Sequence, residues 1–461
     1  MIFTQHYIDC LSQASYLIAD EGTRQAVVVD PRRDIQDYLD EASQQGLSIV
    51  GVINTHFHAD FVSGHLELAE ATGAWIGFGR RAQTDFPSRP LADGERISLG
   101  EVTLQIIETP GHTPESISVL VYKHPSDQVA YGVLTGDTLF IGDVGRPDLL
   151  ASIGWTAEDL GKQLYQSVQH KLMALDDAVR VFPAHGAGSA CGKNLSTEKQ
   201  STIGQQRLVN YACQPMSERD FIDLVTIDQP AAPAYFVYNA TINRQEHEVR
   251  ALDAAVPALD DAGAEAALAA GAVLVDTREP EEFSAGHRQG SINLGREGRL
   301  AETAGMVLSP QDQIVLLSPD GPAAQDDAMR LARIGFDRAV GYLPDPERYL
   351  LEHAESTQRA SRITARELAD RLEADRDLQL VDLRNPGELH DGIIRGARSI
   401  PLAQLPGRLS ELDLGRPIVV YCAGGWRSSV GASVLRRAGG VDVSDLLGGF
   451  SAWSLLQLQK A

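Results

Sequence analysis

The sequence predicts an α/β protein built from three domains, and three observations carry that reading. The chain has 461 residues, which at roughly 150 residues per domain is about three cores rather than one. Its first half alternates short β-branched runs with polar loops. Its second half contains an internal repeat: LVDTREPEEFSAGHRQGSINL (274–294) and LVDLRNPGELHDGIIRGARSIPL (380–402) share an apolar run ending in Val-Asp-x-Arg, then Pro, Glu, and a Gly before a second apolar run. Two successive copies of one α/β unit are therefore expected.

In chain order, residues 24–30 and 48–54 read as buried strands around a helix near 35–45, and further strands are expected at 102–108, 117–122, 129–135 and 179–182. Beyond Asn210 the pattern loosens, and an Ala/Pro-rich stretch (229–234) and a polar piece (243–248) lead to a boundary near 250. The expected domains are 1–250, 251–357 and 358–461. Within the repeat, strands at 313–321 and 417–425 run into helices over 323–334 and 427–437, with a linker around 353–361.

Composition narrows the function. Hydrophobic residues at 43% and charged residues at 22% are ordinary globular values. A net charge of −23 argues against nucleic acid and anionic membrane as partners. There is no basic-then-apolar leader and no run of about 18 apolar residues, so a cytoplasmic location is expected. Cys10, Cys191, Cys213 and Cys422 are too few and scattered for a disulfide framework, and no CxxC pair is present.

Four strand-end loops carry metal-ligand residues: Asn54-Thr55-His56-Phe57-His58-Ala59-Asp60, Thr109-Pro110-Gly111-His112-Thr113, Thr135-Gly136-Asp137 and Pro183-Ala184-His185-Gly186. Imidazoles at alternate positions with a nearby carboxylate have the spacing of a metal site. The set resembles the metallo-β-lactamase superfamily, whose pattern is HxHxDH followed by His, Asp and His on later loops, and which implies an αββα sandwich. Phe61 stands where dinuclear hydrolases carry the last His of HxHxDH. A phenyl ring cannot bind a metal, so a mononuclear centre is expected.

Within that superfamily, His58-Ala59-Asp60, Ser63-Gly64-His65, Thr109–Thr113, and Gly136-Asp137 followed by Gly145-Arg146-Pro147-Asp148 resemble the persulfide dioxygenases over roughly residues 1–245. The resemblance implies one mononuclear non-haem Fe(II) held by His56, His112 and Asp137, a set that leaves positions for O2 and a substrate sulfur. It places His58, Asp60 and His185 around those ligands, where they would orient them. His65 is read as a helix residue. Arg146, Lys193 and Arg207 are the candidate cations for an anionic thiol substrate.

The second constellation is Cys422-Ala423-Gly424-Gly425-Trp426-Arg427-Ser428, directly after an apolar strand and before a helix. Two glycines let successive N–H groups turn inward, and the helix N-terminus favours a thiolate. Such a loop suits a cysteine that accepts and hands on sulfane sulfur. It resembles the rhodanese active loop, and both copies resemble the rhodanese domain, with Asp382 and Arg384 on the early strand. Arg427 is expected to close the loop and add positive charge. The first copy has Ser318 at the cysteine position, followed by Pro319 and Asp320, and is expected to be inactive. Cys10 and Cys213 are read as structural, and Cys191 as structural or pocket-lining.

Together these resemblances imply oxidation of glutathione persulfide, or another low-molecular-weight thiol persulfide, by O2 to sulfite and thiol. Thiosulfate, sulfite and persulfide would exchange sulfur at Cys422, in sulfide detoxification, and the chain would assemble as a homo-oligomer. The alternative is a zinc thioester hydrolase of the glyoxalase II kind fused to a sulfurtransferase.

Overall fold

The computed structural model describes residues 1–149, 154–251 and 254–460. The chain divides into two compact units, residues 1–230 with 236–254, and residues 231–235 with 255–461.

In the first unit, strands Ile2–Ile8, Gln13–Ala19, Gln25–Val29, Ser48–Ile53, Trp75–Gly79 and Arg89–Leu91 pair in that order. A second sheet has the order Ser201–Thr202, Arg180–Pro183, Gly132–Gly136, Ile117–Tyr122, Thr103–Glu108 and Arg96–Ser98. Strand alternation sends one side of each to a shared interior. Tyr16, Ile18, Val27, Val29 and Ile53 meet Leu104, Ile106, Val119, Leu134 and Phe182 there. The alternate residues Leu17, Ala19, Ala26 and Val28 face outward onto Tyr38, Ala42 and Leu68 of helices Gln36–Gln45 and His65–Thr72. Leu120, Val133 and Val181 likewise meet Leu164, Phe221 and Val225 of helices Ala157–Tyr165 and Glu218–Thr226. Two sheets back to back with helices on both outer faces make the αββα sandwich that the sequence predicts.

Some elements were not legible. Strands Ile2–Ile8 and Gln13–Ala19 pair in full register although buried Gln13 and Ser15 interrupt their apolar pattern. Each keeps a buried partner, Gln13 donating to the Asp30 carbonyl and Ser15 bonding the Tyr38 hydroxyl. Beyond Asn210 the chain does not loosen, because helices Glu218–Thr226 and Tyr235–Ile242 follow.

The second unit holds two parallel sheets. One runs Ile292–Asn293, Val273–Asp276, Ile314–Leu317, Ala339–Leu343; the other runs Ser361–Ile363, Val443–Leu446, Ile418–Tyr421, Gln379–Asp382, Arg398–Ser399. The shared Asp-x-Arg pair does the same work in each. Arg278 binds Asp276 and the Gly286 carbonyl, and Arg384 binds Asp382 and the Gly392 carbonyl, pinning the segment after the strand back onto it.

A buried polar contact also ties the two sheets of the sandwich: the Tyr16 hydroxyl donates to the Pro183 carbonyl at 2.6 Å. Tyr16→Phe strands that carbonyl, and the expected loss is about 1–2 kcal/mol. A lower urea midpoint for this unit would register it.

Candidate active sites

Three of the four predicted loops bring His56, His112 and Asp137 together, with one ligand atom from each lying within 4.8 Å of the others. All three are buried. His56 Nε2 is 3.7 Å and His112 Nε2 3.5 Å from Asp137 Oδ2. The opposite ring nitrogens are already engaged. His56 Nδ1 is 3.0 Å from Thr55 Oγ1, and His112 Nδ1 donates to the Arg146 carbonyl at 2.9 Å. Each ring therefore aims its other nitrogen inward, which is how protein metal sites fix imidazole orientation.

The electrostatics suit a cation. Burial, with the neighbouring imidazoles, pushes His56 well below its ordinary value despite the Asp137 carboxylate. Burial alone would raise the Asp137 carboxyl, but His185, His56 and His112 outweigh it and hold it well below the usual carboxylate range. Among the described residues His56 Nε2 and Asp137 Oδ2 have no hydrogen-bond partner. Buried lone pairs left bare on convergent atoms are what a bound metal ion would satisfy, so this donor set fits one.

The other predicted residues surround the cluster. Asp30 Oδ1 holds His58 Nε2 at 3.0 Å and accepts from the Thr55 amide, while Asp30 Oδ2 accepts the Thr55 hydroxyl. His58 lies 4.3 Å, ring to ring, from Phe61. His185 Nδ1 is 2.7 Å from Asp137 Oδ1, and its Nε2 is 2.7 Å from Asp60 Oδ2. Burial disfavours charge on His185, yet Asp137 and Asp60 reverse that and raise its proton affinity well above the ordinary value. Cys191 is buried in the same group, and burial with the Asp60 and Asp137 carboxylates pushes its thiol far up. Gly136, with φ +52°, turns the chain so that Asp137 faces inward, and a Cβ there would sit 2.6 Å from Thr55 Oγ1. His65 opens helix His65–Thr72, and burial lowers it to about 3.

The three cations expected to meet an anionic substrate are held elsewhere. Arg146 forms a bidentate pair with Asp148 and donates to the Ala190 and Pro230 carbonyls, leaving its own carbonyl to orient His112. Lys193 donates to the Leu224 and Ile227 carbonyls. Arg207 binds Asp177 and the Met173 and Leu175 carbonyls. The cleft flanked by loop residues Phe57 and Thr113, about 330 Å³, instead has Arg81 and Arg244 as its cations, with Trp155 and Gln83. Arg244 lies over the Phe57 ring at 5.1 Å, and its buried Nε has no hydrogen-bond partner among the described residues. Nothing in the local sequence marks Arg244, which the fold returns from beyond the last strand.

In the second unit, Cys422 follows strand Ile418–Tyr421 and is buried at 1% exposure. Its Sγ accepts from the Gly425 amide at 3.1 Å and lies 3.7 Å from Ser428 Oγ. Gly425 takes φ +106° at the start of helix Trp426–Arg437, the left-handed conformation that lets its N–H point back at sulfur. Ala423, Gly424 and Trp426 complete the loop. Arg427 differs from expectation: its guanidinium makes a bidentate pair with Glu388 at 2.6 and 2.7 Å rather than bonding the loop. In the first copy Ser318 is buried and donates to Asp327 Oδ2 at 3.0 Å. The Asp320 carboxylate caps the following helix through the Ala323 amide at 2.8 Å.

Comparison with known proteins agrees with this architecture. Residues 8–185 match the metallo-beta-lactamase superfamily, and residues 261–345 and 364–456 each match the rhodanese-like domain. The chain belongs to the metallo-beta-lactamase superfamily and carries two rhodanese-like domains in addition. A solved structure described as a metallo-beta-lactamase from Staphylococcus aureus is 33% identical with a TM-score of 0.67, covering 75% of this chain and 99% of that one. The human mitochondrial persulfide dioxygenase is 30% identical over 179 residues, 37% of this chain and 63% of its own length. The hydroxyacylglutathione hydrolase of Maricaulis maris is 33% identical over 180 residues, 38% of this chain and 63% of its own.

Thr55→Val removes the side-chain hydroxyl that meets His56 Nδ1. Metal affinity is expected to fall about 10–100-fold, as for other partners of metal-bound imidazoles. Competition with a chromogenic chelator reads it.

Proposed function

We propose that the chain is a persulfide dioxygenase joined to a sulfurtransferase. It would convert a low-molecular-weight thiol persulfide, O2 and water into the thiol and sulfite, and exchange sulfane sulfur at Cys422. The observation that carries the reading is the two-imidazole, one-carboxylate cluster, whose donors all come from one set of strand ends. A single ferrous ion held by His56, His112 and Asp137 would supply oxygen activation and a coordination position for sulfur.

The chain's own residues would do the rest. Phe57 and Trp155 give the cleft apolar walls, and Arg244, with Arg81 at the rim, offers cations to the carboxylates of a thiol such as glutathione. This favours the Arg81 and Arg244 pair over the three cations expected from sequence. At the second centre, the Cys422 thiolate attacks the outer sulfur of thiosulfate. The S–S bond breaks, sulfite leaves with the electron pair, and Cys422 carries the persulfide for transfer to a thiol. The Gly425 amide holds the sulfur, and Glu388 fixes Arg427 at the loop. The hydroxyacylglutathione hydrolase relatives support a second reading, zinc-dependent thioester hydrolysis at the same cluster.

Two sets of variants test the division of labour. Cys422→Ser should abolish thiosulfate-to-thiol sulfur transfer while persulfide-dependent O2 uptake persists, and His112→Ala should do the reverse. Transfer surviving in Cys422→Ser would refute the assignment of that centre. Arg244→Gln should raise KM for glutathione persulfide about tenfold, the scale of one charge-assisted contact, with little change in kcat.

A further inference from the structure

The cleft beside the metal loop holds a charged group that the chemistry above leaves unused. Glu115 lines it together with Phe57, Arg81 and Arg244, and is 6% exposed. Glu115 Oε1 accepts the Phe57 amide at 2.9 Å, the side chain's one hydrogen bond among the described residues, and none of their cations forms an ion pair with it. A carboxylate taken out of water with one oxygen unbonded and no counter-ion is costly, and buried charges are ordinarily paired. A cation in the matching condition stands on the same residue. The Arg244 guanidinium lies 5.1 Å from the centre of the Phe57 ring, and its buried Nε has no hydrogen-bond partner among the described residues. Glu115 thus meets Phe57 at its backbone and Arg244 meets it at its ring. Two opposite charges are held apart on one residue, next in sequence to His56, and each lacks a partner that a ligand could supply.

A thiol that carries only carboxylates or phosphates can use the arginines, but it brings its negative charge up against Glu115. A thiol that ends in an α-amino acid brings both signs at once, an ammonium with three donors for the carboxylate and a carboxylate for the guanidinium. We propose that Glu115 is a specificity residue, which binds the α-ammonium of an amino-acid-bearing thiol persulfide while Arg244 takes the carboxylate of the same head. Cysteine and glutathione both belong to that class. The inference rests on the reading of this cleft as the persulfide site and narrows it to one kind of thiol. Selection works in both directions, because Glu115 attracts the ammonium and repels polyanionic thiols that lack one. No bond forms or breaks in this contact: the ammonium keeps its protons, and Glu115 Oε2 accepts one of them in a hydrogen bond.

The probes are S-methylglutathione, S-methylcysteine and, for each, the analogue with hydrogen in place of the α-amino group. S-Methylation caps the sulfur, so neither oxidation nor sulfur transfer intervenes. Each is titrated calorimetrically into the metal-loaded full chain without O2. In at least one pair the amino-bearing probe should bind at least about tenfold more tightly than its analogue, the scale of one charge-assisted contact. The pair that shows the preference identifies whether cysteine or the glutamyl end of glutathione supplies the head. Glu115→Gln keeps an acceptor for the Phe57 amide and should bring the amino-bearing probe down to its analogue. Arg244→Gln should weaken probe and analogue alike, since both keep the carboxylate, and leave the preference in place. Equal affinity within both pairs for the wild-type chain, or no binding by any probe, would overturn the proposal without recourse to a variant. A preference that survives Glu115→Gln would overturn it equally. Failure of the dioxygenase reading shows itself differently, as no O2 uptake with persulfide by a chain that still prefers the amino-bearing probe.

Discussion

The Asp137 carboxylate is the constraint on which the first unit's chemistry turns. It is fully buried, and burial alone would strip it of its charge. Three imidazoles reverse that. Oδ2 faces His56 and His112, and Oδ1 faces His185, so a single group sets the spacing of two histidine clusters. Its position depends on the backbone around it. Gly136 turns the strand end inward, and a Cβ on Gly145 would stand 1.9 Å from the Asp137 carbonyl, so glycine there lets the next loop close over the site. That loop supplies the Arg146 carbonyl to His112. The same short segments that shape the cavity thus also orient the ligands, which is why the site needs a rigid sandwich beneath it.

The second unit repeats one fold with two different loops at corresponding strand ends. Both copies keep the Asp-x-Arg pair that pins the chain after the first strand, because it is part of how the fold closes. They differ in the loop that follows strand Ile314–Leu317 in one copy and strand Ile418–Tyr421 in the other. Where one copy has Cys422 and a glycine whose amide meets sulfur, the other has a buried Ser318 tied to Asp327 and a carboxylate on the helix N-terminus. In that first copy the Asp320 carboxylate already accepts the Ala323 amide at the start of the helix.

Much of this was legible because the chemistry sits in local strings. A strand followed at once by His-x-His, by Gly-His or by Gly-Asp reports both the residue and its placement at a strand end, and Cys422 with its glycines reads the same way. The strand Trp75–Gly79 did not read, because Gly77 and Gly79 dilute it. They are there for space: a Cβ on Gly79 would lie 2.1 Å from the Glu115 carbonyl. The cations were the weakest part. Arg146 sits in a motif and looks functional, yet its guanidinium is consumed by Asp148 and two carbonyls. Arg244 and Arg81 face the cleft only because the fold brings separate segments together. Likewise Glu388, the partner of Arg427, lies on the far side of a strand and helix in sequence, and no local pattern ties the two.

The central claim is that the first cluster is an oxygen-using iron site rather than a hydrolytic zinc site. It is tested most directly by loading the full chain with Fe(II) anaerobically, adding glutathione persulfide, and following O2 uptake and sulfite in one vessel, with a zinc-loaded sample given a glutathione thioester in parallel. The account predicts one sulfite formed per O2 consumed in the iron sample and no thioester turnover in the zinc sample. Thioester hydrolysis by the zinc form, with no O2 uptake by the iron form, would contradict it.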